Sequence, residues 1–397
     1  MSLKQLKLKK NEDRRLRAGH VWIYSNEIDT KTTPLKSFTP GEEVEVIAHD
    51  FTSLGVAYVN PHSLITGRLI SRDKTARLDT AFFYNHIQSA LSLRDRLYSQ
   101  PFYRLIFGES DQLPGLVVDR FGEALVVQIT TAGIDLKTEN VIAALREALP
   151  SVTSILLRND SKAREYEGLS AFTKAALGEP PQTILLEENG LSFQAPLWTG
   201  QKTGWFYDHR LNRSRLKEYV QGQRVLDVFS YLGAWGIQAA KWGAREVMCI
   251  DASPLSTQWI AQNAELNHVN DRVKVRCEDA FDALKHLHTA KEKFDVIILD
   301  PPAFVKKQKD LKEGIIAYQR INELALKLLS DNGILISCSC SMHIGFHELI
   351  QAIRRAGSRT DCTLQILERG HQAPDHPVHL AIPETDYLKM VVVRKIK

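Results

Sequence analysis

Four carboxylates and two thiols are spaced so that a chain alternating strands with helices delivers them to one edge of a sheet. Asp227, Asp251, Asp279 and Asp300 each end or follow a short apolar run, and Cys338 and Cys340 close a fifth. The run before Asp300, Val296-Ile-Ile-Leu299, has the β-branched character of a parallel strand buried on both faces. Pro301 and Pro302 then fix the backbone and present Phe304 beyond the strand's carboxyl end. That is the edge at which open α/β sheets bind ligands. A carboxylate followed by a stiff, aromatic-tipped turn suits a flat, polar, aromatic substrate such as a nucleobase. Alone, Asp-Pro-Pro could simply end a strand, but the acids on the neighbouring strands weigh against that.

The first acid opens Asp227-Val-Phe-Ser-Tyr-Leu-Gly-Ala-Trp-Gly236. Gly233 and Gly236 let a ligand approach the backbone where the strand turns into a helix. Asp251 follows Asp227 by 24 residues, a separation that places an acidic side chain at ribose hydroxyls. The GxGxxG that grips a pyrophosphate is absent, which disfavours a nicotinamide-dependent oxidoreductase. A nucleoside without phosphates fits better, and S-adenosylmethionine is the common one. Asp279, at the end of the third strand, is placed to meet the adenine amino group. Any one of these acids could be a helix cap, but four on consecutive strands read as a shared ligand edge.

The fifth run ends Ile336-Ser-Cys-Ser-Cys-Ser-Met-His343. Free cysteine is commonly a core residue, yet a thiolate is also a strong nucleophile. Carbon 5 of a pyrimidine is a poor nucleophile. Addition of a thiolate at carbon 6 turns the ring into an enamine, whose carbon 5 attacks a methyl sulfonium. A carboxyl hydrogen-bonded to N3 stabilises the charge that develops. Cys338 still belongs to the apolar run and reads as packed and neutral, whereas Cys340 lies past it, beside Asp300.

Positioning these groups requires a doubly wound α/β sheet. Strand patterns at 224–229, 246–251, 273–277, 294–299 and 333–338 alternate with helical patterns at 235–243, 254–268, 280–289, 314–329 and 346–356. Two further runs, 363–367 and 387–393, lack a helical crossover and are expected as an antiparallel pair. Gly178-Glu-Pro-Pro-Gln is a linker signal, and Asn189-Gly190 turns a hairpin. Upstream, a helix over 81–97, a hairpin over 116–130 and a helix over 137–148 describe a separate α+β unit. The first 70 or so residues hold short strands entered by Lys4, Lys7, Lys9, Lys10, Arg14, Arg15 and Arg17, then Trp22 and Tyr24. A charge run is usually a solvated tail. Beside aromatic residues it suits RNA phosphates and stacked bases.

Bulk properties narrow the classes. A chain of 397 residues, 44% apolar and 25% charged, is an ordinary globular protein of two to three domains. No apolar run approaches the ~20 residues of a membrane helix, and the N-terminus lacks the apolar core of a secretory signal, so a cytoplasmic location is expected. Five cysteines without a CxxC pair argue against a disulfide framework and against zinc. A net charge of +4 confines any nucleic-acid surface to a local patch.

Six stretches occur in a telling order. They are His20-Val-Trp22, Gly108-Glu-Ser-Asp-Gln-Leu-Pro-Gly-Leu-Val-Val-Asp-Arg-Phe-Gly122, Lys202-Thr-Gly204 with Asp208 and Arg210, Asp227-Val-Phe-Ser-Tyr-Leu-Gly233, Asp300-Pro-Pro-Ala-Phe304 and Ser339-Cys-Ser341. Over essentially its whole length the chain resembles the cytosine-5 ribosomal RNA methyltransferases. These join an N-terminal PUA domain, a central EEHI-type domain and a C-terminal Rossmann-like methyltransferase domain. The resemblance implies a PUA-like RNA-binding domain at 1–72, an EEHI-type domain at 73–182 and a methyltransferase domain at 183–397. It implies S-adenosylmethionine as cofactor and large-subunit ribosomal RNA as partner, without metal or membrane, and leaves a homodimer open.

By that resemblance the cofactor's methionine end lies near Lys202, Thr203, Phe229 and Gly233, Asp251 holds the ribose and Asp279 the adenine. Asp227, Ser230, Ser253 and Asp300 complete the expected cofactor set. Cys340 attacks the base, assisted by Asp300; Pro301, Pro302, Phe304 and Lys306, with Trp22, Arg14 and Arg15, are expected to contact RNA. Ala303 stands where family members often carry Lys, and Lys306, Lys307 and Lys309 come slightly later. No cysteine follows the prolines to help release product, so another base must remove the carbon-5 proton. The rival readings are a guanine methyltransferase of similar build, which has no use for Cys340, and a non-catalytic RNA-binding or ribosome assembly factor, which has no use for the strand-end acids.

Overall fold

The computed structural model describes residues 3–396. The chain forms two compact units. One comprises Met1–Ile184, Pro196–Trp205 and Pro374–Thr385, and the other Leu185–Ala195, Phe206–Ala373 and Asp386–Lys397.

In the first unit, the basic N-terminal run is not a tail. Lys4–Lys7 is a strand paired in parallel with Glu42–Ile47, at one edge of a five-stranded sheet whose other edge is Trp22–Tyr24. Burial anchors the end of this strand: Leu6 and Leu8 are fully buried, whereas Lys4 and Gln5 at its start are exposed. A second five-stranded sheet runs from Phe172–Leu177 through Ser154–Asn159, Ala124–Ile129 and Leu116–Phe121 to Phe102–Phe107. Val56, Tyr58 and Ile70 of the first sheet share a core with Leu105, Val127 and Leu145. The PUA-like and central segments are therefore packed as one body. Pro374–Thr385 returns to this unit because its Asp375 is buried and satisfied there: it accepts from Arg104 N at 3.0 Å, and its carbonyl accepts from Arg94 at 2.8 Å.

The hairpin of strands Thr183–Glu188 and Leu191–Pro196, whose residues Leu185–Ala195 open the second unit, is joined by Asn189 and Gly190, both at positive φ as a two-residue primed turn requires. Then follows a seven-stranded sheet: β1 Arg224–Val228, β2 Glu246–Asp251, β3 Val273–Cys277, β4 Phe294–Leu299, β5 Leu329–Ser339, β6 Thr363–His371 and β7 Lys389–Ile396. The helices are α1 Ala234–Lys241, α2 Pro254–Leu266, α3 Ala280–Thr289, α4 Leu311–Leu328 and α5 Phe346–Arg359. The strand order is β3-β2-β1-β4-β5-β7-β6, with β7 antiparallel to both neighbours and the rest parallel. Apolar strands covered by helices on their faces supply the core, with Leu226, Ile250, Ile297, Leu299 and Leu335 all fully buried. The order reverses between β1 and β4, which opens the crevice where such sheets bind ligands.

Candidate active site

The loop leaving β1 is built for close approach. Phe229, Tyr231 and Gly233 all have positive φ, at 67°, 52° and 82°. Two aromatic residues in that region hold a strained backbone, which clusters at functional sites. A Cβ at Gly233 would lie 2.7 Å from Ile237 Cδ1, so only glycine starts α1 here. Asp251 secures the loop from β2: its Oδ2 accepts from Tyr231 N and its Oδ1 from Ser253 N, each at 2.9 Å. The carboxylate stays partly exposed and keeps lone pairs for further donors. On β3's far side, Asp279 caps α3 through Oδ1, accepting from Phe281 N and Asp282 N at 2.9 and 3.2 Å. Its residue is exposed.

Four of the expected cofactor residues, Asp227, Ser230, Ser253 and Thr203, have side chains engaged within the protein. Asp227 lies within β1 and is fully buried; it accepts from Gly236 N at 3.0 Å, and its other oxygen has no hydrogen-bond partner. Burial pushes its carboxyl up to about 7, against the bond from Gly236 N. It shapes the loop from beneath. The Ser230 hydroxyl is buried and ties the loop to β2, donating to Asp227 O at 2.8 Å and accepting from Ile250 N at 3.0 Å. The Ser253 hydroxyl caps α2 by accepting from Ser256 N. Lys202 and Thr203 belong to the first unit, where the buried Thr203 hydroxyl donates to Asp119 Oδ2 at 2.5 Å and Lys202 is exposed.

Asp300 is held from two sides. His209 Nε2 lies 3.1 Å from Oδ1, and Trp235 Nε1 donates to Oδ2 at 2.9 Å. Asn212 Nδ2 lies 3.2 Å from His209 Nδ1, which orients the ring. Burial alone would raise Asp300, but the His209 charge and the two hydrogen bonds outweigh it and hold the carboxyl below the usual carboxylate range. Cys338 Sγ, His209 and Asp300 come within 4.8 Å of one another, as three cation ligands would. The imidazole and carboxylate already satisfy each other, and burial pushes the Cys338 thiol well up, so the group reads as a hydrogen-bonded His–Asp pair beside a neutral thiol.

Downstream, Pro301 is buried and Pro302 exposed. Phe304 is not a free platform: its ring centroid lies 4.8 Å from Tyr318, 6.2 Å from Phe281 and 6.5 Å from Phe229. Apolar area on three sides draws it inward. Lys306 is exposed. The strand register pairs Leu299 with Ser337, so Asp300 comes alongside Cys338. Cys340 lies past the end of β5, partly exposed, with Sγ 3.8 Å from the Pro301 carbonyl. Both flanking serines are clamped. Ser339 Oγ donates to the Tyr318 hydroxyl at 2.8 Å, Ser341 Oγ lies 3.0 Å from the same oxygen, and Val305 N donates to Ser341 Oγ at 3.3 Å. The Asp-Pro-Pro loop and the Cys340 segment are thus one hydrogen-bonded assembly.

In the first unit, Arg14 is exposed, whereas Arg15 pairs with Glu27 at 2.6 Å and lies over the Tyr24 ring. Trp22 Nε1 donates to Glu109 at 2.9 Å, so its indole is partly engaged within the unit. Sequence reasoning missed His209, Trp235, Tyr318 and Lys389. The glycine-rich, polar stretch containing His209 was a signal; Tyr318 and Lys389 have none, because each acts on a partner brought near by the sheet.

The β1 loop, with no basic group in its weave and carboxylates at the ends of β2 and near α3, fits an uncharged ribose and adenine. With the antiparallel seventh strand it defines a Rossmann-like methyltransferase fold. The comparisons agree. Residues 129–391 match the family S-adenosylmethionine-dependent methyltransferase, and residues 6–72 match the PUA-like domain. The chain belongs to the S-adenosylmethionine-dependent methyltransferase family, and S-adenosylmethionine is its cofactor. It is 35% identical over 98% of its length to a protein from Shewanella frigidimarina and covers 99% of it. It is 37% identical to one from Aeromonas salmonicida, with 98% of each chain covered. Both relatives are named ribosomal RNA large subunit methyltransferase I. A solved Streptococcus mutans chain described as a SAM-dependent methyltransferase superposes with a TM-score of 0.84 at 22% identity, covering 99% of this chain and 100% of that one. Another solved methyltransferase, in complex with SAH, gives 0.86 at 22% identity, covering 99% and 100%. At such identities the likeness is one of fold. Among the described residues no helix is long and apolar enough to cross a membrane.

Proposed function

We propose that this chain methylates carbon 5 of a cytosine in large-subunit ribosomal RNA through a covalent Cys340 adduct. The relatives' names support the RNA class. The observation that carries the base and position is a partly exposed thiol held against the Asp-Pro-Pro loop, between two clamped serines. When bound, S-adenosylmethionine supplies an electrophilic methyl group. Cys340, as thiolate, adds to carbon 6 of the base, and the electron pair released to carbon 5 takes up that methyl. A base then removes the carbon-5 proton, and the Cys340 thiolate is expelled. Asp300, held ionised, accepts a hydrogen bond from the exocyclic amino group and does not itself donate to N3. In this reading Asp251 holds the ribose, Asp279 the adenine through its uncommitted oxygen, and exposed Arg14 and Lys306 meet phosphates.

The test is RNA carrying 5-fluorocytosine, whose fluorine blocks the final elimination and traps the enzyme–RNA adduct. Wild type and Cys338→Ala should be trapped; Cys340→Ala should not, while still binding cofactor. A trap that survives Cys340→Ala but is lost with Cys338→Ala reverses the assignment. No trap, together with methylated guanine in the product, replaces this reading with the guanine enzyme.

A further inference from the structure

Lys389 is a buried cation without an anion. It opens β7 opposite Ser339 on β5 and His371 on β6, and is 4% exposed. Its Nζ donates to the Ser341 and Tyr387 carbonyls at 3.2 and 3.1 Å. Among the described residues no carboxylate lies within ion-pair distance of it, and its third N–H has no acceptor. Burying an ammonium against neutral carbonyls alone is costly, so a partner belongs there. The carbonyl it holds is that of the residue after Cys340.

The charged and titratable groups around this point are few. Burial lowers Lys389, while Asp386, Cys340 and Glu348 act to raise it. Glu348 is committed to the start of α5, accepting from Gly345 N at 3.0 Å. From β6 comes His371, which is exposed. Near Cys340 lie Asp300, held ionised against His209 and opposing a thiolate, Tyr318, pushed up to about 12 by burial, and Cys338, pushed well above the usual thiol range; the last two stay neutral. Lys389 holds the carbonyl of Ser341, the residue next to Cys340, and its charge interacts with that of Cys340.

We propose that Lys389 is the positioning residue that makes Cys340 a nucleophile at neutral pH, pairing as an ammonium with the thiolate after the S–H bond has given its proton to solvent. The pair engages the third N–H and compensates the buried charge. During the reaction the sulfur becomes a neutral thioether, and the waiting ammonium favours its later expulsion as thiolate. The purpose of this device rests on the reading of Cys340 as the nucleophile, but its test does not.

The test is the rate of iodoacetamide modification of Cys340 in the full chain, followed by peptide mass across about pH 5 to 10, with exposed Cys277 as internal control. In wild type the Cys340 midpoint should lie below that of Cys277 and below the ordinary thiol value of about 8.5. Lys389→Met and Lys389→Gln should raise the Cys340 midpoint by a unit or more, slowing modification at neutral pH about tenfold, and leave Cys277 unchanged. Lys389→Arg, which keeps the charge, should restore most of it; loss with Arg as severe as with Gln would mean a packing role and overturn the proposal. So would a wild-type midpoint equal to that of Cys277, or one unmoved by Lys389→Gln. A low, Lys389-dependent midpoint without a 5-fluorocytosine adduct would leave the activation standing and sink the methylation mechanism.

Discussion

Trp235→Phe removes the indole N–H that reaches Asp300 Oδ2 at 2.9 Å and keeps most of the ring in place. His209→Gln keeps a donor near Oδ1 and removes the imidazole's favourable electrostatic influence on Asp300. Each change takes away something that favours the ionised form of Asp300 over its burial. A hydrogen bond to a charged group contributes ~1.5–3 kcal/mol. At about 1.4 kcal/mol per factor of ten, losing the Trp235 bond should cut the ratio of ionised to protonated Asp300 roughly ten- to hundredfold. The sign follows directly. Wild-type Asp300 titrates below the usual carboxylate range, so activity that needs its charge is present above that range and is lost only as pH falls through it. Raising its pKa moves the acid limb of kcat/KM to higher pH. The assay is transfer of labelled methyl from S-adenosylmethionine to ribosomal RNA from a strain lacking the enzyme, measured across about pH 4 to 9. An acid limb unmoved in both variants, with cofactor affinity normal, would refute the role of Asp300 as an ionised acceptor.

Two further outcomes are expected. Asp251→Ala should weaken S-adenosylmethionine binding tenfold or more, since ribose hydroxyls lose a charged acceptor at ~1.5–3 kcal/mol each and the loop loses its bond to Tyr231 N; calorimetry showing unchanged affinity in a folded variant removes Asp251 from the site. Asp227 has a folded-state value of about 7, raised by burial. A raised carboxyl makes the folded state bind the proton more tightly, so its contribution falls as pH rises from the ordinary range toward 7, by up to roughly 4 kcal/mol. Asp227→Asn should remove that slope, and denaturant melts with equal pH dependence in both proteins would show that Asp227 is ionised without penalty.

The alternation of strands and helices in the second unit was legible because local signals carry it. Apolar runs of four to six residues are strands at any location in such a sheet, and the helices between them start and stop where the pattern does. Asp300 and Cys340 were legible as neighbours for the same reason: parallel pairing of consecutive strands puts their ends on one edge. The separation of Cys338 from Cys340 also follows locally, since one ends the apolar run and the other lies beyond it; Cys338 is 0% exposed and Cys340 is partly exposed. The basic N-terminal run was ambiguous because a strand of four residues at a sheet edge looks like a solvated charge run until its partner, Glu42–Ile47, is known.

What the sequence by itself determined is the sheet, its edge and the residue types that reach it. Which of those residues remain open to a ligand was decided by tertiary structure. An acid or serine at a strand end has the same local pattern whether it meets a cofactor or caps a helix, and Ser253 and Asp279 both cap. Ser230 could not be separated from a cofactor contact until β2 supplied its partner, nor Thr203 until Asp119 did. The pairing of Asp300 with His209 and Trp235, and the hold of Lys389 on the Ser341 carbonyl, join segments distant in sequence. Hydrogen bonds and charge interactions of this kind depend on distances of a few ångströms, and no spacing along the chain encodes such distances until the sheet has closed around them.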